Sequence, residues 1–246
     1  MDIIQITDLH ISKNQLAKKH DCMPFERLEH ILEDIESRYR TVENLAITGD
    51  LSDDYTIESY LNIKRLLNKY KFNVSILPGN HDDINMMRKI CDEQINLNPI
   101  KSSNDHFTIF NFDTHVDNQV GGEIKKEEIS SFKSELGIYK KQVVVFTHHP
   151  LLKMNSDWID ANITENNNLL IQLMLKYSNT LFHIFSGHVH QEFHKKLDNI
   201  NFYTSPSTCY QFKERSEQFC IDRRLTNGYR AITLHGNSLE TRIVRL

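Results

Sequence analysis

The chain has 246 residues, 39% of them apolar and 25% charged, and a net charge of −4. That length supports one large hydrophobic core or at most two small ones, and no apolar stretch approaches the roughly 20 residues that span a bilayer. The mild acidity argues against an extended nucleic-acid-binding face. The first residues do not read as a basic-then-apolar leader, and the cysteines at 22, 91, 209 and 220 form no C-x-x-C pair. Both points lead to the expectation of a cytoplasmic protein with reduced thiols.

In chain order, the first element is an apolar run, DIIQIT (2–7), which reads as a strand. Phe25, Leu28, Ile31, Leu32 and Ile35 then share one helical face, and Pro24 suits a first turn. NLAIT (44–48) reads as a second strand, and Ile57, Leu61 and Leu67 mark a second helix. FNVSIL (72–77) is a third strand, followed by a helix over 83–93. FTIFNF (107–112), a loop over 113–124 and a helix over 125–136 come next. VVVFT (143–147), a helix over 166–178, LFHIFS (181–186), YRAITL (229–234) and LETRIVRL (239–246) complete the set. Early strand–helix alternation implies βαβ units in one α/β domain.

The polar residues fall at the ends of these strands. After 2–7 comes Asp8-Leu9-His10, and after 44–48 comes Gly49-Asp50. Pro78-Gly79-Asn80-His81-Asp82 follows 72–77, His148-His149-Pro150 follows 143–147, and Gly187-His188-Val189-His190 follows 181–186. Each alone is an ordinary turn or a capping carboxylate. Five in succession are harder to treat as turns, because open α/β sheets bind ligands beyond the carboxyl ends of their strands. Alternation along an extended segment would aim Asp8 and His10, and likewise His188 and His190, at one point. Carboxylate and imidazole donors suit Zn, Mn or Fe, and this many donors exceeds one tetrahedral ion. Two ions sharing a carboxylate would use them all. Of the 13 histidines, those at 20, 30, 106, 115, 183, 194 and 235 lack such a setting and read as surface or packed residues.

D-x-H, G-D, G-N-H-D, H-H-P and G-H-x-H in this order resemble the calcineurin-like metallophosphoesterase superfamily, over roughly residues 2 to 212. Ser205-Pro-Ser-Thr-Cys-Tyr-Gln-Phe212, Gly228-Tyr229-Arg230 and Leu239-Glu240 resemble its class III cyclic-nucleotide phosphodiesterases more narrowly. The chain departs mildly from the usual pattern, with Leu151 after His148-His149-Pro150 and Ser at 205.

The resemblance implies a four-layer α/β/β/α sandwich, two mixed β-sheets flanked by helices. It implies one domain over 1–246, with about 205–246 completing the sheet and capping the substrate. It also implies two divalent ions (Fe, Mn or Zn): Asp8, His10 and His190 hold the first, Asn80, His148 and His188 the second, and Asp50 bridges them. His149 is the weaker ligand candidate of its pair. His81 would meet the phosphate as a catalytic group beside Asn80, with Asp82 orienting it. Asn80, His81, His190, Ser207, Cys209 and Gln211 are the expected substrate contacts. The base and ribose would meet the 205–212 segment and the loops at 11–24 and 153–165, where Trp158 could stack or simply pack. Cys209 reads as a packed thiol.

The implied activity is hydrolysis of 3′,5′-cyclic AMP to 5′-AMP by in-line attack of a hydroxide held between the ions. Glycerophosphodiesters, 2′,3′-cyclic nucleotides, lipid-linked diphosphates and phosphomonoesters are alternative substrates. A non-catalytic scaffold of the same fold is the alternative of another class, disfavoured because all seven donor positions carry suitable side chains.

Overall fold

Residues 1–97, 102–103, 106–136 and 142–246 are described in a computed structural model of the chain. Ile3, Ile4 and Ile6 are fully buried because β1 (Asp2–Ile6) lies inside a sheet, with neighbours on both sides. It runs parallel to β2 (Asn44–Thr48), which leads on to β3 (Val74–Leu77) and β4 (Ile95–Leu97), all parallel. On its other side β1 pairs antiparallel with β11 (Gly228–His235), and β11 with β12 (Ser238–Arg245). The closing segment therefore completes the first sheet.

The second sheet has the order β5 (Ser102–Ser103), β6 (Phe107–Asn111), β7 (Gln142–Thr147), β8 (Phe182–Ser186), β10 (Ile200–Thr204) and β9 (Phe193–Leu197). Its four central strands are parallel and its two edges antiparallel. β4, β5, β9 and β10 were not anticipated from sequence. β9 reads FHKKL and is exposed over His194–Lys196, a charged edge strand with no apolar run to announce it.

Helices cover the outer faces. α1 (Pro24–Arg38), α2 (Ile57–Leu67) and α3 (Ile84–Ile90) pack on the first sheet through Leu28, Ile31, Ile63, Leu66 and Met87. Thr56 and Asp83 cap α2 and α3 by accepting backbone N–H bonds, from Ser59 and from Asn85 and Met86. α4 (Lys126–Leu136) and α6 (Asn167–Leu175) cover the second sheet through Phe132, Leu170 and Met174, and a short α5 (Asp157–Asp160) lies within the 153–165 loop. Between the sheets, Ile3, Ala46, Leu77, Val144, Phe146, Phe185 and Ile232 form a separate core. Burying each large side chain there contributes about 1.5–3 kcal/mol. The result is the expected four-layer sandwich. Its parallel strands β1, β2, β3, β7 and β8 end on a common rim.

The cysteine expectation fails at two positions. Cys22 and Cys209, 187 residues apart, form a disulfide between the 11–24 loop and the 205–212 segment, while Cys91 and Cys220 are free. Sequence spacing could not reveal the pairing, because a disulfide requires only that two Cα atoms lie within about 7 Å. Here they are 6.4 Å apart.

Candidate metal centre

The seven predicted donors meet at the rim between the sheets. His190 Nε2 is 3.2 Å from Asp8 Oδ1 and 3.3 Å from His10 Nε2. His10 Nε2 is 3.8 Å from Asp50 Oδ2, and His148 Nε2 is 3.4 Å from Asp50 Oδ1. Asn80 Oδ1 lies 3.2 Å from His148 Nε2 and 3.0 Å from His188 Nδ1. Asp50 thus faces both groups, one through each carboxylate oxygen.

The backbone achieves this convergence differently from the strand alternation expected of Asp8-x-His10 and His188-x-His190. Asp8, His10, Asp50, His188 and His190 all have φ between 46° and 67°, the left-handed region. Each ligand turns off a strand end into a tight loop, a conformation that costs about 1–3 kcal/mol per residue and clusters at functional sites. Space is equally constrained. A side chain at Gly79 would strike the Asp50 carboxylate and backbone, and one at Gly49 would strike the His148 ring.

The hydrogen bonds fix protons as a cation requires. His148 Nδ1 is 2.7 Å from the Thr48 carbonyl and His190 Nδ1 is 2.8 Å from the Tyr210 carbonyl. A carbonyl only accepts, so both Nδ1 atoms carry protons and both Nε2 lone pairs face inward. Burial pushes Asp8 up, but the adjacent His190 outweighs this and holds the carboxyl at about 2. Burial, then His148, pushes His188 down to about 3, and burial holds His10 well below the usual imidazole range. Ionised carboxylates and neutral imidazoles are the forms that ligate metals; His148 runs the other way, since burial pulls its imidazole down but Asp50 and Asp8 outweigh this and raise it, so a cation there would displace a proton. His10 Nε2 and His188 Nδ1 are the ring nitrogens set among the other donors, and the opposite nitrogens of the two rings are buried without a hydrogen-bond partner. The residues present therefore fit a pair of cations, with donor groups around Asp8, His10 and His190 and around Asp8, Asp50 and His148.

His149 is the exception in its pair. Its Nε2 donates to the Val120 carbonyl at 3.0 Å and its Nδ1 meets Thr114 Oγ1 at 2.8 Å, so neither nitrogen is left for a metal.

Several sequence expectations need correction. Asp82 does not orient His81. Its carboxylate accepts from the backbone N–H groups of Leu51, Ser52 and Gly79 and from the Tyr60 hydroxyl, tying the two ligand loops together. Burial and the nearby Asp50 raise its carboxyl to about 6 against those donors. His81 is held by its own backbone N–H, which donates to Asp50 Oδ1 at 2.8 Å.

The 205–212 segment is a supporting wall rather than a substrate surface. Ser207 is fully buried and its hydroxyl donates to the Asp8 carbonyl at 2.8 Å. Gln211 is buried and donates to the Ser207 carbonyl, while Cys209 is bonded to Cys22. Tyr210 stacks on His10 with ring centres 5.4 Å apart. Trp158 is half-buried and packs edge-on against Phe212 at 4.8 Å and Phe219 at 5.3 Å.

Sequence reasoning missed three neighbours. Asp53, which pairs with Lys19, places Oδ1 3.7 Å from His10 Nδ1. His115 Nδ1 donates to the Gly79 carbonyl at 2.7 Å. Tyr55 stands beside His81 with ring centres 6.2 Å apart. Asn80, His81, Tyr55 and His115 open into a cleft of about 690 Å³. A larger hollow of about 1010 Å³ beyond Val120 touches none of the seven donors, whereas the smaller cleft takes in Asn80.

Strand-end carboxylates, an amide and inward-facing imidazoles between two mixed sheets define a metal-dependent hydrolase. The chain belongs to the calcineurin-like phosphoesterases, whose family model matches residues 1–192. It is 32% identical over 248 residues to a 3′,5′-cyclic-nucleotide phosphodiesterase of Nostoc, covering 98% of this chain and 90% of that one. It is 27% identical over 251 residues to the 3′,5′-cyclic adenosine monophosphate phosphodiesterase of Haemophilus influenzae, covering 99% and 89%. Among solved structures, a dimetal phosphatase of Danio rerio superposes with a TM-score of 0.67 at 12% identity, covering 99% of this chain and 98% of that one. An anchor protein of the inner membrane complex of Plasmodium superposes at 0.65 and 11% identity, covering 100% and 84%. These two show the fold alone. The function rests on the site and the sequence relatives.

Proposed function

We propose that this chain is a cytoplasmic phosphodiesterase that hydrolyses 3′,5′-cyclic AMP to 5′-AMP, with residues 1–246 acting as one domain. The observation that carries the reading is the near-full-length match to relatives named for cyclic-nucleotide hydrolysis, with a complete set of seven donors on this chain. Asp8, His10 and His190 would hold one divalent ion and Asn80, His148 and His188 a second, with Asp50 facing both groups; Fe, Mn and Zn all suit these donors. Bound there, the ions would neutralise the phosphodiester's charge and lower the pKa of water.

The remaining work falls to the chain's own groups. Asp50 sets the spacing of the two donor groups and, through the His81 backbone, places that imidazole at the cleft. The Asn80 amide and His81 flank the phosphoryl group and offset the charge that builds on it. Water gives one proton to bulk solvent, and its oxygen forms the new P–O bond as the P–O3′ bond breaks in line. His81, whose ring packs edge-on to His10 at 5.2 Å, delivers a proton to the departing 3′-oxygen. His190 also borders the substrate.

Protein purified without chelator should hydrolyse cyclic AMP, lose that activity in EDTA and regain it with Mn or Fe. A panel containing the other phosphoester classes tests substrate choice. Cyclic AMP turnover far slower than that of a simple aryl diester, or activity indifferent to EDTA, would overturn the assignment.

A further inference from the structure

Tyr55 is an exposed aromatic whose backbone is bent for a reason the metal centre does not supply. Its φ is 57°, uncommon for a bulky side chain. The turn is held by hydrogen bonds around it: the Tyr55 and Asp54 backbone N–H groups donate to Ser52 Oγ, and Ser52 Oγ meets Ser59 Oγ at 2.7 Å. The phenol then reaches across to the Asn80 carbonyl, donating at 3.4 Å. The result is a ring fixed at both ends yet 49% exposed.

The ring lines the cleft that holds Asn80 and His81, with Arg88 and Asn85 of α3 and Gln119 on other walls. Its plane is within 27° of the His81 ring at 6.2 Å, a separation comparable to the span of one ribose. An apolar face at that distance from the phosphate site, with amides around it, fits a nucleobase. Phe212, Tyr210 and Trp158, the aromatics packed about His10 and His190, already face other rings. Phe212 stacks on His190 at 4.1 Å, Tyr210 on His10, and Trp158 packs against Phe212 and Phe219. The 205–212 segment turns its polar groups inward, leaving the Tyr55 cleft as the open approach to Asn80 and His81.

We propose that Tyr55 is the stacking platform for the base of the nucleotide, and that it determines preference for nucleotides over base-free phosphoesters. This deepens the cyclic-nucleotide reading and rests on it for substrate class, but its test is independent of turnover. Binding of 5′-AMP and of ribose 5-phosphate to the manganese-loaded protein would be measured by titration calorimetry. The two ligands differ only in the base. Wild type should bind 5′-AMP more tightly. Tyr55→Ala should weaken 5′-AMP by roughly 10-fold or more, in the range of one base–aromatic stack, while ribose 5-phosphate shifts less than about two-fold, with the stacking loss confined to the base. Tyr55→Phe should retain 5′-AMP binding, which separates stacking from the bond to Asn80. Equal loss of both ligands in Tyr55→Ala, no preference for 5′-AMP in wild type, or a selective loss in Phe219→Ala instead would each overturn the proposal. Failure of wild type to hydrolyse cyclic AMP would refute the cyclic-nucleotide reading, and the 5′-AMP to ribose 5-phosphate ratio would still decide the role of Tyr55.

Discussion

The two sheets contribute unlike halves of the candidate metal centre. The first supplies every oxygen donor, Asp8, Asp50 and Asn80, with one imidazole, His10. The second supplies His148, His188 and His190 and no oxygen. Each half is braced by backbone outside itself. The Asp8 carboxylate accepts from the His188 backbone N–H at 3.0 Å, and the His148 ring is held by the Thr48 carbonyl of the first sheet. The tyrosine carbonyl that holds His190 comes from the 205–212 segment, which is itself tied to the 11–24 loop through Cys22–Cys209. Geometry here belongs to the contact between the layers, so a change on one side should be felt on the other.

Replacing the residue that faces both halves breaks this arrangement most. Asp50→Ala should purify folded with less than half the wild-type metal by elemental analysis. Its activity should fall by more than the 10–100-fold typical of outer-shell losses. Full metal and full activity in that variant would mean that the halves do not share Asp50.

The strap comes next. Alkylation of the denatured, unreduced protein should modify two cysteines, Cys91 and Cys220, and all four after reduction. Cys22→Ser should lower unfolding free energy by about 2–4 kcal/mol while the seven donors keep their metal. Alkylation of four thiols without reductant would remove the brace from the comparison.

The smallest effect concerns a strand rather than the rim. His183 on β8 is buried against Gln142, and burial, then His194, depresses its imidazole to about 4. Its neutral form is favoured by folding. Its contribution is therefore complete above the ordinary value near 6.5 and is lost as pH falls toward 4. His183→Gln should reduce the drop in stability between pH 7 and pH 4 by about 2–3 kcal/mol, read by denaturant titration, without changing metal content. An unchanged drop would show that His183 is already protonated in the fold.

Sequence disclosed which seven side chains converge because each follows an apolar strand run, and strand ends are where α/β folds place ligands. It misjudged how Asp8 and His10 converge, since left-handed backbone leaves no residue-type mark when the residue is Asp or His rather than Gly. It misassigned Ser207 and Gln211 for a related reason. Polar side chains near a site read alike whether they face substrate or satisfy the backbone of the loop behind it. Asp82 shows the same ambiguity, with three backbone N–H groups claiming a carboxylate that the sequence seemed to offer to His81. Tyr55 carried no signal at all, because its place at the cleft comes from the turn that presents it.

The left-handed ligands set folding against activity. Each holds a conformation that glycine tolerates better, so replacement by glycine at Asp8, His10, Asp50, His188 or His190 would relax the backbone as it removed the donor. Selection for thermostability alone would steadily erode this centre.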